Sequence, residues 1–182
     1  MTERFTTLAA IEAEVWHQLD RAAHDKHHPW RTPVLATVDG ESADARTVIL
    51  RETDEATRSL LIYTDARAPK VAQSMRQPIG TLVMWSPALG WQLRCRVRLA
   101  FEDDGLAVAS RWAALRHSRA AQDYLSPLAP GAPADADAPA ADQRGHFGVL
   151  TASVQSVDWL ELHRDGHRRA LFGDGAARWL QP

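Results

Sequence analysis

An α+β fold built on an antiparallel β-barrel is what this sequence predicts, on three observations. Short runs of β-branched and apolar residues recur between turn signals, six or more of them along the chain. Helical stretches flank these runs. The runs also follow one another too closely for parallel crossovers, which need about a dozen residues or more. A barrel removes the exposed edges that such a sheet otherwise presents. The 182 residues suit one domain over 1–182.

Taken in order, the chain opens on an amphipathic helix. Leu8, Ile11, Val15, Leu19 and Ala22 recur at spacings of three and four and share one face. The helix stops before Pro29. Val34 to Asp39 reads as a strand ending in the Asp39-Gly40 turn, Arg46 to Arg51 as a second, and Ser59 to Thr64 as a third. A helix between Asp65 and Pro78 carries Val71 and Met75, and Thr81 to Trp85 is again strand-like. Trp91 to Phe101 is the clearest strand. Trp91, Leu93, Cys95, Val97 and Leu99 alternate with Gln92, Arg94, Arg96 and Arg98, which puts the two sets on opposite faces.

Helices are predicted over Leu106–Leu115 and Arg119–Leu125, with Trp112 and Leu115 on the buried side of the first. Residues 126–145 change to Ala, Pro and Asp and read as a mobile loop or lid with no packed core of its own. From Phe147 to His163 the pattern fits one strand or two. The Asp165-Gly166 pair marks a hairpin turn, Arg168 to Phe172 runs back, and Ala176 to Leu180 closes the chain.

Composition excludes several functions. A hydrophobic share of 45% supports a real core, and a formal charge of −2 offers no bulk attraction to nucleic acid or an acidic membrane. No apolar run approaches the roughly 20 residues of a membrane helix. The start, Met1-Thr2-Glu3-Arg4-Phe5, lacks the basic-then-apolar pattern of a secretory signal. Cys95 is the single cysteine, so the chain forms no internal disulfide and no four-thiolate zinc site. A reduced, cytoplasmic protein is expected. The eight histidines show no ligand spacing, and no metal is expected.

Three features can carry chemistry. Arg46-Thr47-Val48-Ile49-Leu50-Arg51 places two guanidinium forks at the ends of an apolar run, either as a phosphate grip or as surface charge. Tyr63-Thr64-Asp65, followed by Lys70 at a helix start, can hold a phosphate or can simply cap the helix. The stripe Gln92, Arg94, Arg96, Arg98 is either a basic wall or the solvent face of a half-buried strand. The Gln92 amide offers both a donor and an acceptor.

In sequence order these features resemble the FMN-binding half of the pyridoxamine 5'-phosphate oxidase family. That family shows Arg-x-Val-Leu-Leu-Lys, Tyr-Thr-Asn, a Ser-Arg-Lys segment, Asn-Pro and Arg-Gln-Val. Here stand Arg46 to Arg51, Tyr63-Thr64-Asp65, Lys70, Gln77-Pro78 and Trp91-Gln92-Leu93-Arg94. Val157-Asp158-Trp159, Arg168-Arg169-Ala170-Leu171-Phe172 and the closing Trp179-Leu180-Gln181-Pro182 are similar to the family's last hairpin. The resemblance implies a split β-barrel with flanking helices, working as a homodimer with FMN between subunits. Arg46 and Lys70 would hold the flavin phosphate, with the Tyr63-Thr64 strand end alongside. The backbone from Thr47 through Leu50 would run past the flavin. Gln92, Arg169 and Trp159 would meet the ring.

The departures fall on the substrate side. Arg51 replaces the lysine that meets the substrate in the oxidases, and Ala68-Pro69-Lys70 has lost a cation. Asp165-x-His167 keeps only the histidine of the substrate pair. Trp112 and Arg116 match the substrate segment, whose serine is Ala120 here. The expected function is therefore an FMN-dependent oxidoreductase on an unidentified small molecule, with Arg51, Arg116 and His167 as substrate-side candidates. A non-catalytic FMN carrier or sensor is the alternative, and a heme-binding split barrel a third.

Overall fold

The computed structural model describes residues 4–134, 145–173 and 175–182, so half of the Ala/Pro-rich stretch over 126–145, residues 135–144, lies outside the described residues. The helices are α1 (Leu8–His24), α2 (Pro69–Arg76) and α3 (Gly105–Leu115). The strands are β1 (Val34–Asp39), β2 (Ser42–Thr47), β3 (Leu50–Asp54), β4 (Ser59–Asp65), β5 (Ile79–Ser86), β6 (Trp91–Glu102), β7 (Phe147–Glu161), β8 (Arg168–Gly173) and β9 (Ala176–Leu180). Every pairing among them is antiparallel, in one sheet ordered β2-β1-β5-β6-β7-β4-β3, with β8 and β9 branching from β7.

β2 and β3 are the two ends of that order, yet only Val48 and Ile49 separate them in sequence. The sheet must therefore curl until its ends meet, which makes a barrel whose seam is covalent and not hydrogen-bonded. This corrects the reading of Arg46 to Arg51 as one strand. The run breaks at Val48, whose N–H turns away to the Pro33 carbonyl at 2.9 Å. Arg46 and Arg51 consequently sit on strands at opposite ends of the sheet order.

β7 is the branch point, and it is one strand where two were also conceivable. It pairs with β6 along its length. On its other edge Phe147–Ser153 pair with β4, and Ser156–Glu161 pair with β8. Gln155 is the extra residue between Arg96↔Ser156 and Val97↔Val154, a bulge placed where the partner changes. Gly173 fits against this bulge. A Cβ there would lie 2.8 Å from the Gln155 carbonyl oxygen and 2.8 Å from the Ser156 Cβ.

The main core fills the barrel and includes Leu35, Leu50, Leu60, Ile62, Leu82, Leu93, Cys95, Leu99 and Trp159. The alternation expected of β6 is realised, with Trp91 through Leu99 inward and the arginines outward. α1 closes one side through Ile11, Val15, Trp16 and Leu19, each worth roughly 1.5–3 kcal/mol when fully buried. Thr7 Oγ1 caps its start by accepting from the Ala10 N–H at 3.2 Å. Arg31 closes its end by donating to the Ala22 and Ala23 carbonyls. A second cluster lies on the other face of β4 and β7, where Leu61, Val108, Tyr124, Phe147 and Val149 gather with Trp112 and Leu115. The predicted helix over Arg119–Leu125 is a 3-10 helix over Arg119–Tyr124, and it seats Tyr124 in this cluster.

Two outcomes follow from the packing. Gly173→Ala forces backbone apart at the bulge and should cost about 1–3 kcal/mol, read as a lower urea midpoint. His28 is buried between α1 and Trp30. Its Nδ1 accepts from the Trp30 N–H at 3.1 Å, so its Nε2 donates to Gln18 Oε1 at 2.9 Å. Burial, then the Arg21 charge, hold this imidazole below its ordinary value of 6.5. The unfolded chain binds the proton more readily. Stability from His28 is thus full above about pH 6.5 and is lost as pH falls below it. Thermal melting between about pH 7.5 and 5.5 should show this slope, and His28→Gln should flatten it; carboxylates titrate lower.

Candidate functional site

The β4–α2 turn brings together two of the predicted cations, Lys70 and Arg46. α2 starts at Pro69, its preceding residue Ala68 provides no side-chain cap, and Lys70 stands in the first turn. Pro69 has no N–H and the Val71 N–H donates to the Ala68 carbonyl at 2.8 Å, so the Lys70 ammonium is the main attraction for an anion at this start. Lys70 is half-buried. Burial, followed by the neighbouring Arg46 charge, pulls its ammonium below the ordinary lysine value. No carboxylate of the described residues pairs with it.

Arg46 reaches this region from β2. Its guanidinium donates to the Leu35 carbonyl at 3.2 Å, to Thr37 Oγ1 and to Gln73 Oε1 at 2.9 Å, and it pairs with Asp44. Gln73 donates to Asp44 Oδ2 at 2.9 Å. The Gln73 amide and the Arg46 guanidinium together hold the Asp44 carboxyl below its usual range. Asp44, Thr37 and Gln73 thus fix the Arg46 fork, and none of the three was foreseen. The signal was present in Asp44-x-Arg46, which puts both side chains on one face of a strand.

Arg51 stands where the β3–β4 register slips, between Leu50↔Ile62 and Glu52↔Leu61. Its guanidinium lies over the Tyr63 ring, 5.7 Å from the centroid, and its buried Nε has no hydrogen-bond partner. The Tyr63 hydroxyl does not face the phosphate candidates; it donates to Glu52, which also receives Arg111 at 2.7 and 2.8 Å. Burial, then the Glu52 bond, push the Tyr63 phenol upward. Thr64 is buried, with its hydroxyl on the Asp65 carbonyl at 3.3 Å. Thr47 and Ile49 are exposed, while Val48 and Leu50 point into the core.

The remaining ring-side candidates sit elsewhere. Gln92 and Arg169 project from the outer face of β6 and β8, in one register row with Leu160 between them. Arg169 donates to Asp158 at 2.9 and 2.6 Å, and Arg94 pairs with the same carboxylate. Although burial alone would raise it, these arginines hold the Asp158 carboxyl below its usual range. Around them lies an open cavity of about 470 Å³ whose walls include Arg96, Arg178 and Leu180. Trp159 has the opposite parity. Its ring is fully buried against Trp91, 5.2 Å between centroids, and offers no surface to a ligand.

The substrate-side candidates are dispersed. The Arg116 Nε donates to the neighbouring His117 ring at 3.1 Å, and the His167 Nδ1 accepts from the His163 N–H at 3.1 Å on the hairpin turn. No group of three potential metal ligands occurs among the described residues. No helix of the described residues is long and apolar enough to cross a membrane.

The geometry agrees with the comparisons. Residues 13–102 match the family described as pyridoxamine 5'-phosphate oxidase, FMN-binding domain. Among solved structures, a pyridoxamine 5'-phosphate oxidase-related, FMN binding protein from Nostoc punctiforme PCC 73102 is 24% identical, with 98% of both chains covered and a TM-score of 0.74. PhzG from Burkholderia lata 383, solved with tetrahydrophenazine-1-carboxylic acid, is 13% identical over 100% of this chain and 99% of its own, TM-score 0.75. General Stress Protein 26 from Bacillus anthracis is 12% identical over 80% and 93%, TM-score 0.54. At these identities the structures establish the fold. No curated protein matches the chain. The sheet order and the matched residues together place this chain in the pyridoxamine 5'-phosphate oxidase-like FMN-binding domain family.

Proposed function

We propose that the chain is an FMN-dependent oxidoreductase acting on a small molecule as a homodimer. One copy holds the flavin phosphate with Arg46 and Lys70, and the other presents Gln92 and Arg169 to the ring. The observation that carries this reading is parity. Arg46 aligns through Leu35 and Leu82 with Cys95, which points inward, whereas Gln92 points outward from the same strand. One copy has no route to close both sets on a single ligand, so a second copy completes the site. The outer face supports this, because Val34, Ile79 and Trp85 on it are 39%, 54% and 43% exposed.

The residues present fit FMN. Lys70 lacks a counterion among the described residues, α2 has an uncapped start, and the Arg51 Nε is buried without a partner. When bound, FMN supplies the redox chemistry. Lys70 would neutralise its phosphate, with the Arg46 fork beside it fixed by Gln73 and Thr37. Gln92 offers a donor and an acceptor to a heteroaromatic edge. Arg51 leaves a cationic wall for an anionic substrate group.

A non-catalytic FMN carrier or sensor is the second reading. It is favoured by the scatter of the substrate-side candidates: Arg116 and His167 are exposed and each bonds a near neighbour in sequence. Heme is not supported. His28 is the one buried histidine among the described residues, and both its nitrogens are engaged.

The test is the visible spectrum of the purified protein, with chromatography of the cofactor released by heat. Two flavin bands and FMN are expected, in a dimer by sedimentation. Lys70→Ala should weaken FMN binding about 10- to 100-fold, the worth of one charged hydrogen bond. A colourless protein indifferent to added FMN removes the reading. Bleaching by a nicotinamide or an amine separates enzyme from carrier.

A further inference from the structure

Asp65 is the carboxylate of the turn that leads into α2: its backbone carbonyl accepts the Ala68 N–H at 3.0 Å, two residues before Lys70, and its charge opposes the effects of burial and Arg46 on the Lys70 ammonium. It is buried, and it lies on the same turn. Left free, it would neutralise Lys70 from within the chain. Arg67 prevents that. Its Nε donates to Asp65 Oδ1 at 3.1 Å and its Nη2 to Oδ2 at 2.8 Å, while the Arg67 backbone N–H also reaches Oδ1 at 2.8 Å. Both carboxylate oxygens are therefore occupied by a planar fork.

The fork is itself held. Its outer nitrogens donate to three successive carbonyls, Ser126 at 2.8 Å, Pro127 at 3.0 Å and Leu128 at 3.3 Å. The Ser126 hydroxyl braces that bend by donating to the Leu128 carbonyl at 3.0 Å. On the same turn the Ala66 N–H donates to the His146 carbonyl at 2.7 Å, and the His146 N–H to Tyr124 at 2.9 Å. Arg67 is thus committed to Asp65 and to the carbonyls of residues 126–128, with its charge matched by Asp65.

We propose that Arg67 is a positioning residue of the phosphate cradle, which sequesters Asp65 so that Lys70 keeps an unmatched charge for the incoming anion. This rests on the FMN reading above and adds to it an internal competitor for the phosphate. Arg67 touches no ligand in this role. It sets the affinity by deciding which partner Asp65 takes.

The test is a flavin-fluorescence titration of apo-protein with FMN, for wild type, Arg67→Ala, Asp65→Asn and the double variant, with the melting temperature of each. Arg67→Ala should weaken FMN binding about tenfold or more. The double variant should regain most of that loss, because the competitor is gone, and Asp65→Asn alone should bind at least as tightly as wild type. Asp65→Asn also leaves no buried unpaired carboxylate, so it keeps the test open if Arg67→Ala fails to fold. A merely structural role for Arg67 predicts lower melting temperatures with no rescue in the double variant, and that result overturns the proposal. So does Arg67→Ala binding FMN like wild type. Inorganic phosphate, read by the shift in melting temperature, is the second probe. A wild type that ignores FMN but is stabilised by phosphate, with that stabilisation lost in Arg67→Ala and regained in the double variant, sinks the flavin reading and sustains the role of Arg67. A wild type that ignores both probes sinks both.

Discussion

The change of partner along β7 is the constraint on which the rest of this structure depends. A strand of fifteen residues offers more edge than β4 covers, so its second half is free for β8. The first half closes the barrel; the second half carries a β8–β9 arm away from it. Gln155 makes the switch possible by adding a residue, and Gly173 by lacking a Cβ where the backbones meet. The arm's outer face then carries Arg169 and Asp158. The barrel's other end, at α2, carries Lys70 and the Arg46 fork. The residues assigned to the cofactor under the proposed function are thereby divided between two faces of a single sheet, which is why that proposal calls for a second copy.

A second regularity concerns charge. Among the described residues the two buried carboxylates, Asp65 and Glu161, and most of the half-buried ones are claimed by arginines; half-buried Glu14 is held by Gln18 and His17 instead. Glu161 receives Arg168 at 2.8 Å together with Arg4 and the Trp91 N–H, Asp158 receives Arg169 and Arg94, and Asp65 receives Arg67. Leaving such a carboxylate unpaired is costly, so these pairs are held in place by desolvation as much as by attraction. Arginine suits the task because one fork satisfies two oxygens. Lys70 stands outside this pattern. It is half-buried and has no such partner among the described residues, which is the feature the proposed function uses.

Periodicity made most of the fold legible. The strict alternation of Trp91 through Leu99 and the helical stripe from Leu8 to Ala22 reported their buried faces correctly, because both elements lie against one core. β2 escaped. Ser42-Ala43-Asp44-Ala45-Arg46-Thr47 is a sheet-edge strand with little burial, so no apolar run marks it, and its polar residues suggest a loop. The break at Val48-Ile49 was hidden for the opposite reason, since apolar residues there continue the pattern across the seam. At the site, charged residue types were legible but partnerships were not. Nothing local links Arg46 to Gln73 or Arg67 to Leu128, which meet only through the packing of α2 and the chain after Tyr124. Trp159 and Tyr63 show the same limit. A motif names a residue, whereas strand parity decides which way it points.

The two halves of the site also differ in how they are tied to the fold. Arg46 bonds β2 to β1 and α2, and Arg67 bonds the β4–α2 turn to residues 126–128, so a change at either disturbs packing as well as binding. Arg116 and His167 are exposed at the end of α3 and on a hairpin turn, and each touches only a near neighbour in sequence. Substitution there costs the fold almost nothing. Under the proposed function, the residues assigned to the phosphate are tied into the packing while those assigned to the substrate are not. Such a division accounts for a sequence in which the cofactor motifs run in register and the substrate residues do not.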